Sequence, residues 1–371
     1  MLGAVKRKRI KPGSRIRVLV VDDSVVIRRL VTHALSEDPA FEVIGSAANG
    51  AIALARIPQL NPDVVTLDIQ MPEMDGLEAL RHIRRQYPDL CVIMFSTLTE
   101  RGATATLDAL MLGANDYVTK AANVGSLDVS MASLRGELIP KIKQFFVLPE
   151  EIEAPAVALV KAAATPRPVR VPPPVPAVHA GRPQVVAIGV STGGPNALSV
   201  VMPMFPADFP LPILIVQHMP PLFTRFLAER LSALSRLRVE EAAEGSLVQP
   251  GKVLVAPGDY HMRLAKNDGK IAVKLDQGPP ENSCRPSVDV LFRSVEEVYG
   301  GAVVSVILTG MGQDGLRGAE ILKASGAWVI AQDEASSVVW GMPGAVVEAG
   351  LADRVVPLEQ VAPEIIKLSR G

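Results

Sequence analysis

Residues 185–195 read Val185-Val186-Ala187-Ile188-Gly189-Val190-Ser191-Thr192-Gly193-Gly194-Pro195. The first six are apolar or small, with no polar alternation. Such a run specifies a strand buried on both faces, the habit of parallel sheets. The glycines after it permit a tight turn. Pro195 suits a helix start, where its missing N–H would have had no partner anyway. Strand, turn and helix make one βα unit of an α/β fold. Gly189, Ser191 and Gly193 also satisfy G-x-S-x-G, a turn that holds a serine exposed at the end of a strand.

Working outward, Ile213–Gln217 and Val303–Leu308 are two further apolar runs suited to buried parallel strands. His218 follows the first. Asp314 follows the second, in Leu308-Thr309-Gly310-Met311-Gly312-Gln313-Asp314-Gly315. Lys252–Val255 and the 262–274 segment, with Asn267-Asp268-Gly269 at its turn, predict a β-hairpin insertion. Ser287–Val298 predicts a helix. This half is therefore a doubly wound, Rossmann-like parallel sheet with a hairpin inserted.

The first half repeats the alternation. Strands are expected at Arg17–Val21, Glu42–Ala47, Val64–Leu67, Cys91–Phe95 and Tyr117–Thr119. Amphipathic stretches lie between them at Val25–Leu35, Leu77–Arg85 and Ala103–Leu112. Five βα units in this length make a second doubly wound domain, of flavodoxin-like type. Between the halves, Ala, Val, Pro and Arg dominate, with Pro172-Pro173-Pro174 at the centre. Proline fixes φ and removes donors, so this stretch is a semi-extended linker. The expected organisation is a tail at 1–15, a first domain at 16–140, a linker at 141–183 and a second domain at 184–371.

Composition narrows the function classes. With 48% hydrophobic and 21% charged residues, the chain has the material for real cores. A net charge of −1 gives no general pull toward nucleic acid or anionic membrane. The basic run Lys6–Arg9 reads as a solvated tail. Cys91 and Cys284 are too few for a disulfide framework and are expected to remain thiols. No apolar run is long enough to span a bilayer, and no apolar segment follows the N-terminal charges as a secretory signal would. A cytoplasmic protein without membrane insertion is the expectation.

The chemistry lies at strand ends. In a parallel sheet the carboxyl ends of the strands share one rim, where ligands gather. In the first domain that rim carries Asp22, Asp23, Asp68, Ser96 and Lys120. Three carboxylates suit Mg²⁺, which prefers oxygen ligands and phosphate co-ligands. An ammonium would pair with phosphoryl oxygens, and one aspartate would serve as nucleophile. The stretch Leu67-Asp68-Ile69-Gln70-Met71-Pro72-Glu73-Met74-Asp75-Gly76 sharpens this, and the segment resembles two-component receiver domains. The resemblance implies that Asp68 is phosphorylated by a histidine kinase, that Asp22, Asp23 and Asp68 hold Mg²⁺, and that Ser96, Tyr117 and Lys120 are switch positions. Ala121 departs from it, since proline usually stands there.

In the second domain, Ser191, His218 and Asp314 all follow parallel strands on one rim, as a Ser-His-Asp triad requires. Their chain order differs from the Ser…Asp…His of α/β-hydrolases, which excludes that fold. Gln217-His218-Met219-Pro220, Val255-Ala256-Pro257-Gly258 and Arg285-Pro286-Ser287-Val288-Asp289 complete the set of motifs. With them, the segment resembles the chemotaxis response-regulator protein-glutamate methylesterases. The resemblance implies Ser191 as nucleophile, His218 as base and Asp314 as orienting acid, with Thr192 and Met311 in positioning or oxyanion contacts. It implies methylated chemoreceptors as substrates, deamidation of receptor glutamines as a second activity, and no cofactor for the hydrolase. Cys284 stands where the family often has histidine.

Two competing readings remain at this stage. Gly310, Gly312 and Gly315 also fit G-x-G-x-x-G, and Asp333 lies downstream, as in dinucleotide-binding enzymes. Only 56 residues follow Gly315, too few for the remainder of such a fold, and Asp314 would repel a pyrophosphate. A DNA-binding output domain would need a basic recognition helix, and 184–371 has no Lys/Arg stripe.

Overall fold

The computed structural model describes residues 7–120, 127–148, 179 and 181–370. Of these, the residues within 6–93 and 123–178 form one compact unit, and those within 94–122 and 179–371 form another.

In chain order the first strands are β1 (Lys8–Arg9), β2 (Ile16–Val21), β3 (Phe41–Ala47), β4 (Val64–Asp68), β5 (Cys91–Ser96), β6 (Asp116–Thr119) and β7 (Phe146–Val147). Strands β2 to β6 form a five-stranded sheet in the order β3-β2-β4-β5-β6. The expected strands are all present, within one residue at either end. The order reverses direction at β2 and β4, which are parallel partners. That pair is the switch point of the sheet. Asp22 and Asp23 follow β2, and Asp68 ends β4.

The basic N-terminal run is a correction. Lys8 and Arg9 are not a solvated tail but pair in parallel with Phe146 and Val147. Lys8 also bonds Asp63 at 2.5 Å. Its charges face solvent while its backbone finds a strand, which charge patterning alone does not reveal. The helix Leu127–Lys143 precedes that partner strand. The Pro-rich stretch 149–178 and Ala121 lie outside the described residues.

The later strands are β8 (Val185–Val190), β9 (Ile213–Gln217), β10 (Arg238–Glu241), β11 (Lys252–Val255), β12 (His261–Asn267), β13 (Lys270–Asp276), β14 (Val303–Ile307), β15 (Trp328–Gln332) and β16 (Arg354–Val356). Seven of them form one sheet in the order β10-β11-β9-β8-β14-β15-β16. Its pairings are parallel throughout. Every residue of β8, β9 and β14 is buried, as their unbroken apolar runs require. The helix Val288–Tyr299 packs Leu291, Phe292 and Val295 into the same core.

The hairpin is narrower than expected. Strands β12 and β13 pair antiparallel around Asp268-Gly269, but Lys252–Val255 belongs to the main sheet, parallel to both β9 and β10. A four-residue apolar run does not reveal which partner it will find.

The chain lays β9, β10 and β11 on one side of β8, then returns to lay β14, β15 and β16 on the other. The switch point is therefore at β8 and β14. The three strands that precede Ser191, His218 and Asp314 are adjacent: β9, β8 and β14.

Candidate active site

Ser191 leaves β8 into a turn that only glycine fits. Gly193 has φ 79° and begins the helix Gly194–Val201, with Pro195 in its first turn. A Cβ on Gly194 would lie 1.9 Å from Gln217 Oε1. The Gln217 amide in turn donates to the Ser191 carbonyl at 2.9 Å. The Ser191 amide is committed to Thr309 O at 3.0 Å. Among the described residues, no hydrogen bond engages the amides of Thr192 or Met311, so these remain open to a developing oxyanion. Thr309 Oγ1 donates to the Thr192 carbonyl at 2.9 Å, tying the serine turn to the Thr309–Gly315 loop. Met311 is 41% exposed at that loop.

His218 follows β9, and its amide donates to Val190 O at 3.2 Å. Its Nε2 lies 2.8 Å from Asp314 Oδ2. A carboxylate only accepts, so Nε2 carries the proton and Nδ1 is left as the basic nitrogen. Among the described residues, no hydrogen bond joins Ser191 Oγ to that nitrogen. The neighbour of Nδ1 is Cys284 Sγ, at 3.6 Å.

Asp314 is 2% exposed and accepts five hydrogen bonds. Its Oδ2 takes His218 and the Val288 amide at 2.7 Å. Its Oδ1 takes Asn282 Nδ2 at 2.8 Å, Ser287 Oγ at 2.8 Å and the Asp289 amide at 3.1 Å. The donors of Val288 and Asp289 are the N-terminus of the helix Val288–Tyr299, which favours negative charge. Ser287 precedes that helix but spends its hydroxyl on Asp314 rather than on a cap. Burial alone would push the Asp314 carboxyl up. The His218 bond and charge, with the two amides, outweigh it and hold the carboxyl well below the usual carboxylate range. Burial likewise pushes His218 down, and the bonds to Asp314 and Cys284 outweigh that and raise the imidazole well above its usual range. Both shifts favour the imidazolium–carboxylate pair.

Asn282 is the residue sequence reasoning missed. Its side chain bridges Asp314 and the buried Asp289, with its second bond 2.9 Å long. It sits with Ser283 at positive φ, 52° and 62°, in a two-residue turn closed by Glu281 and Cys284. Both central residues at positive φ are the signature of a I′ turn, and asparagine tolerates that region. The Arg293 guanidinium forks onto Glu281 at 2.7 and 2.6 Å and anchors the turn. The turn thus delivers Asn282 to the carboxylates and Cys284 to the histidine. An Asn before Ser-Cys-Arg-Pro was the available signal.

The dinucleotide reading loses its residues to other work. Asp314 points inward to its five donors, and Asp333 accepts from the Ser336 amide and hydroxyl at 2.9 and 2.6 Å.

Thr192 Oγ1 donates to Asp116 Oδ2 at 3.0 Å, and Tyr117 stacks on Phe223 with centroids 5.1 Å apart. Asp116 and Tyr117 belong to β6, within the same compact unit as the serine turn. Arg230 bonds Asp108 at 2.6 Å, and Asn196 donates to Leu110 O at 2.8 Å. Ser96 Oγ receives Thr106 Oγ1 at 2.7 Å, and the Lys120 amide donates to Ser96 O at 2.6 Å.

In the other unit, carboxylate oxygens of Asp22, Asp23 and Asp68 lie within 4.8 Å of one another. Asp22 and Asp68 are buried and Asp23 is exposed. This all-oxygen set fits Mg²⁺. Gly76 lies against this site, since a Cβ there would come within 2.0 Å of Asp68 O.

Residues 186–365 match the CheB methylesterase family model. Residues 18–132 match the response regulator receiver domain. A protein-glutamate methylesterase/protein-glutamine glutaminase of Trichodesmium erythraeum is 50% identical, over 95% of this chain and 99% of its own. The chain belongs to the CheB methylesterase family. A second relative of the same description, from Nocardioides sp., is 52% identical over 96% of this chain and 95% of its own. The CheB methylesterase catalytic domain of Thermotoga maritima, a solved structure, is 45% identical with a TM-score of 0.50, and covers 51% of this chain and all of its own. In this CheB-family chain the catalytic match encloses Ser191, His218, Asn282 and Asp314, and the receiver match encloses Asp22, Asp23, Asp68 and Lys120. Among the described residues, no helix is long and apolar enough to cross a membrane.

Proposed function

We propose that this chain hydrolyses methyl esters on chemoreceptor glutamates, and deamidates receptor glutamines, under control of phosphorylation at Asp68. The observation that carries the hydrolase reading is the His218–Asp314 pair, 2.8 Å long, on the strand rim that also bears Ser191. Ser191 Oγ attacks the ester carbonyl and His218 Nδ1 takes its proton. Asp314, held by its four other donors, fixes the imidazole tautomer and stabilises the imidazolium. The amides of Thr192 and Met311 receive the oxyanion. The proton returns to the leaving methoxide, methanol departs, and water attacks the acyl-enzyme by the same base. An amide follows the same path with ammonia leaving, and the hydrolase needs no cofactor.

The receiver's own residues divide the regulatory work. Asp68 accepts the phosphoryl group from a histidine kinase, Asp22 and Asp23 complete the acidic pocket, and Ser96, Tyr117 and Lys120 respond. Mg²⁺, held by Asp22, Asp23 and Asp68, would offset the charge of the carboxylates and of the phosphoryl oxygens. The Thr192–Asp116 bond and the Tyr117–Phe223 stack support a restraint imposed by receiver residues on the serine turn. A tenfold activation needs about 1.4 kcal/mol between restrained and free states. The division into a receiver at 16–140, a linker at 141–183 and a catalytic domain at 184–371, acting in the cytoplasm, belongs to this reading.

The test is product release from a methylated receptor by the full chain, with and without a small phosphodonor. Methanol from the esters, ammonia from the glutamines, and stimulation that Asp68→Asn removes are expected. Release of neither product by the phosphorylated chain would overturn the reading.

A further inference from the structure

Cys284 takes no step in the hydrolysis above, yet the I′ turn fixes its sulfur against the proposed base. We propose that His218 and Cys284 form a binding site for a borderline-soft divalent cation, Zn²⁺ being the type case, and that occupancy switches the hydrolase off. His218, Cys284 and Asp314 offer donor atoms that all lie within 4.8 Å of one another. The geometry within that group is specific. A tetrahedral Zn²⁺ with a sulfur at about 2.3 Å and a nitrogen at about 2.0–2.1 Å holds those ligands about 3.6 Å apart. Cys284 Sγ and His218 Nδ1 stand at 3.6 Å. On the far side of the ring, Nε2 meets Asp314 Oδ2 at 2.8 Å. A carboxylate behind a metal-binding histidine is the usual outer partner of such sites, where it sets the tautomer and the ring orientation.

The ligands are also held in place beforehand. Asp314 is fixed by four donors besides His218, and the 281–284 turn is fixed by the Arg293 fork. Two protein ligands leave two positions for water, so the site binds more weakly than a closed structural site. The sulfur and nitrogen donors select against Mg²⁺, which belongs with the oxygen-only set at Asp22, Asp23 and Asp68. Binding releases the Cys284 thiol proton, and the Nδ1 proton of the imidazolium, to solvent, and the cation then occupies the lone pair that would take the serine proton. Loss of the base should lower turnover by about 10²-fold or more.

The test uses the full chain and the metal alone. Co²⁺, added in place of Zn²⁺, should give a thiolate-to-cobalt charge-transfer band in wild type and in Ser191→Ala, and none in Cys284→Ala. Zn²⁺ should abolish the band by competition, and excess Mg²⁺ should not. Far-UV and near-UV circular dichroism of Cys284→Ala beside wild type, with the same melting temperature expected, shows whether the unit that holds Cys284 is folded, since Asp68 belongs to the other unit. A second measurement needs no variant. Zn²⁺ should protect Cys284 of the wild-type protein from iodoacetamide, where the thiolate displaces iodide, as read by peptide mass. Neither readout uses turnover, so this site and the hydrolase reading fail separately. A band that persists in folded Cys284→Ala, or full alkylation of Cys284 at millimolar Zn²⁺, overturns the proposal.

Discussion

Two sheets in this molecule place aspartates at their switch points, and the two sites differ in what surrounds those aspartates. Asp314 follows β14, beside β8, and is met by donors: an imidazole, an amide side chain, a hydroxyl and two helix N–H groups. Asp68 ends β4, beside β2, and is met by further carboxylates from Asp22 and Asp23. Donors stabilise a buried charge and make it a fixed orienting group. Converging carboxylates repel and favour a cation among them. One residue type at one topological address thus yields two chemistries, and the neighbours decide which.

The sharpest way to break the contrast is Asp314→Asn. If the carboxylate fixes the tautomer of His218, kcat should fall about 10⁴-fold. A loss under tenfold in steady-state hydrolysis would make Asp314 a passive core group. On the receiver side, Asp22→Asn would remove a charge from the proposed cation site rather than an orienting group. The Mg²⁺ concentration for half-maximal labelling of Asp68 should rise about 10- to 100-fold. An unchanged Mg²⁺ dependence would remove Asp22 from the cation site.

Asn282→Ala deletes one of the five donors and leaves Asp289 with one fewer. A bond to a charged group is worth about 1.5–3 kcal/mol, so turnover should fall about tenfold or more at unchanged KM. A change in KM alone would place Asn282 with the substrate. The pH profile sharpens the contrast least but reads it directly. The base works neutral, and the Asp314 bond raises the imidazole, so activity should climb with pH through a limb above the ordinary imidazole range. A limb at the unperturbed imidazole position, with chemistry rate-limiting, would deny that the pair is coupled.

Much of this was legible in the chain. Ser191, His218 and Asp314 could be placed on one rim because each follows a strong apolar strand, and a parallel sheet delivers such positions there. The clustering of Asp22, Asp23 and Asp68 follows from the same reasoning. The remainder depends on partners that no local pattern names. Strand β11 looked like part of a hairpin because four apolar residues do not say which strand they join. Strands β10 and β16 are short, partly exposed and at the sheet's edges, whereas β15 is an apolar run buried from Val329 to Gln332 that the same strand reasoning could have reached. Asn282 and Cys284 reach the site only because a I′ turn folds them over it, a conformation set by two positive-φ residues and an Arg293 anchor.

Ser191 is the proposed nucleophile served by this pair. Its most direct test is methanol release from a methylated receptor by Ser191→Ala beside wild type, both phosphorylated. The rate should be at least about 10³-fold lower in the variant, since only oxyanion contacts and binding would remain. Equal rates in the two proteins would contradict it.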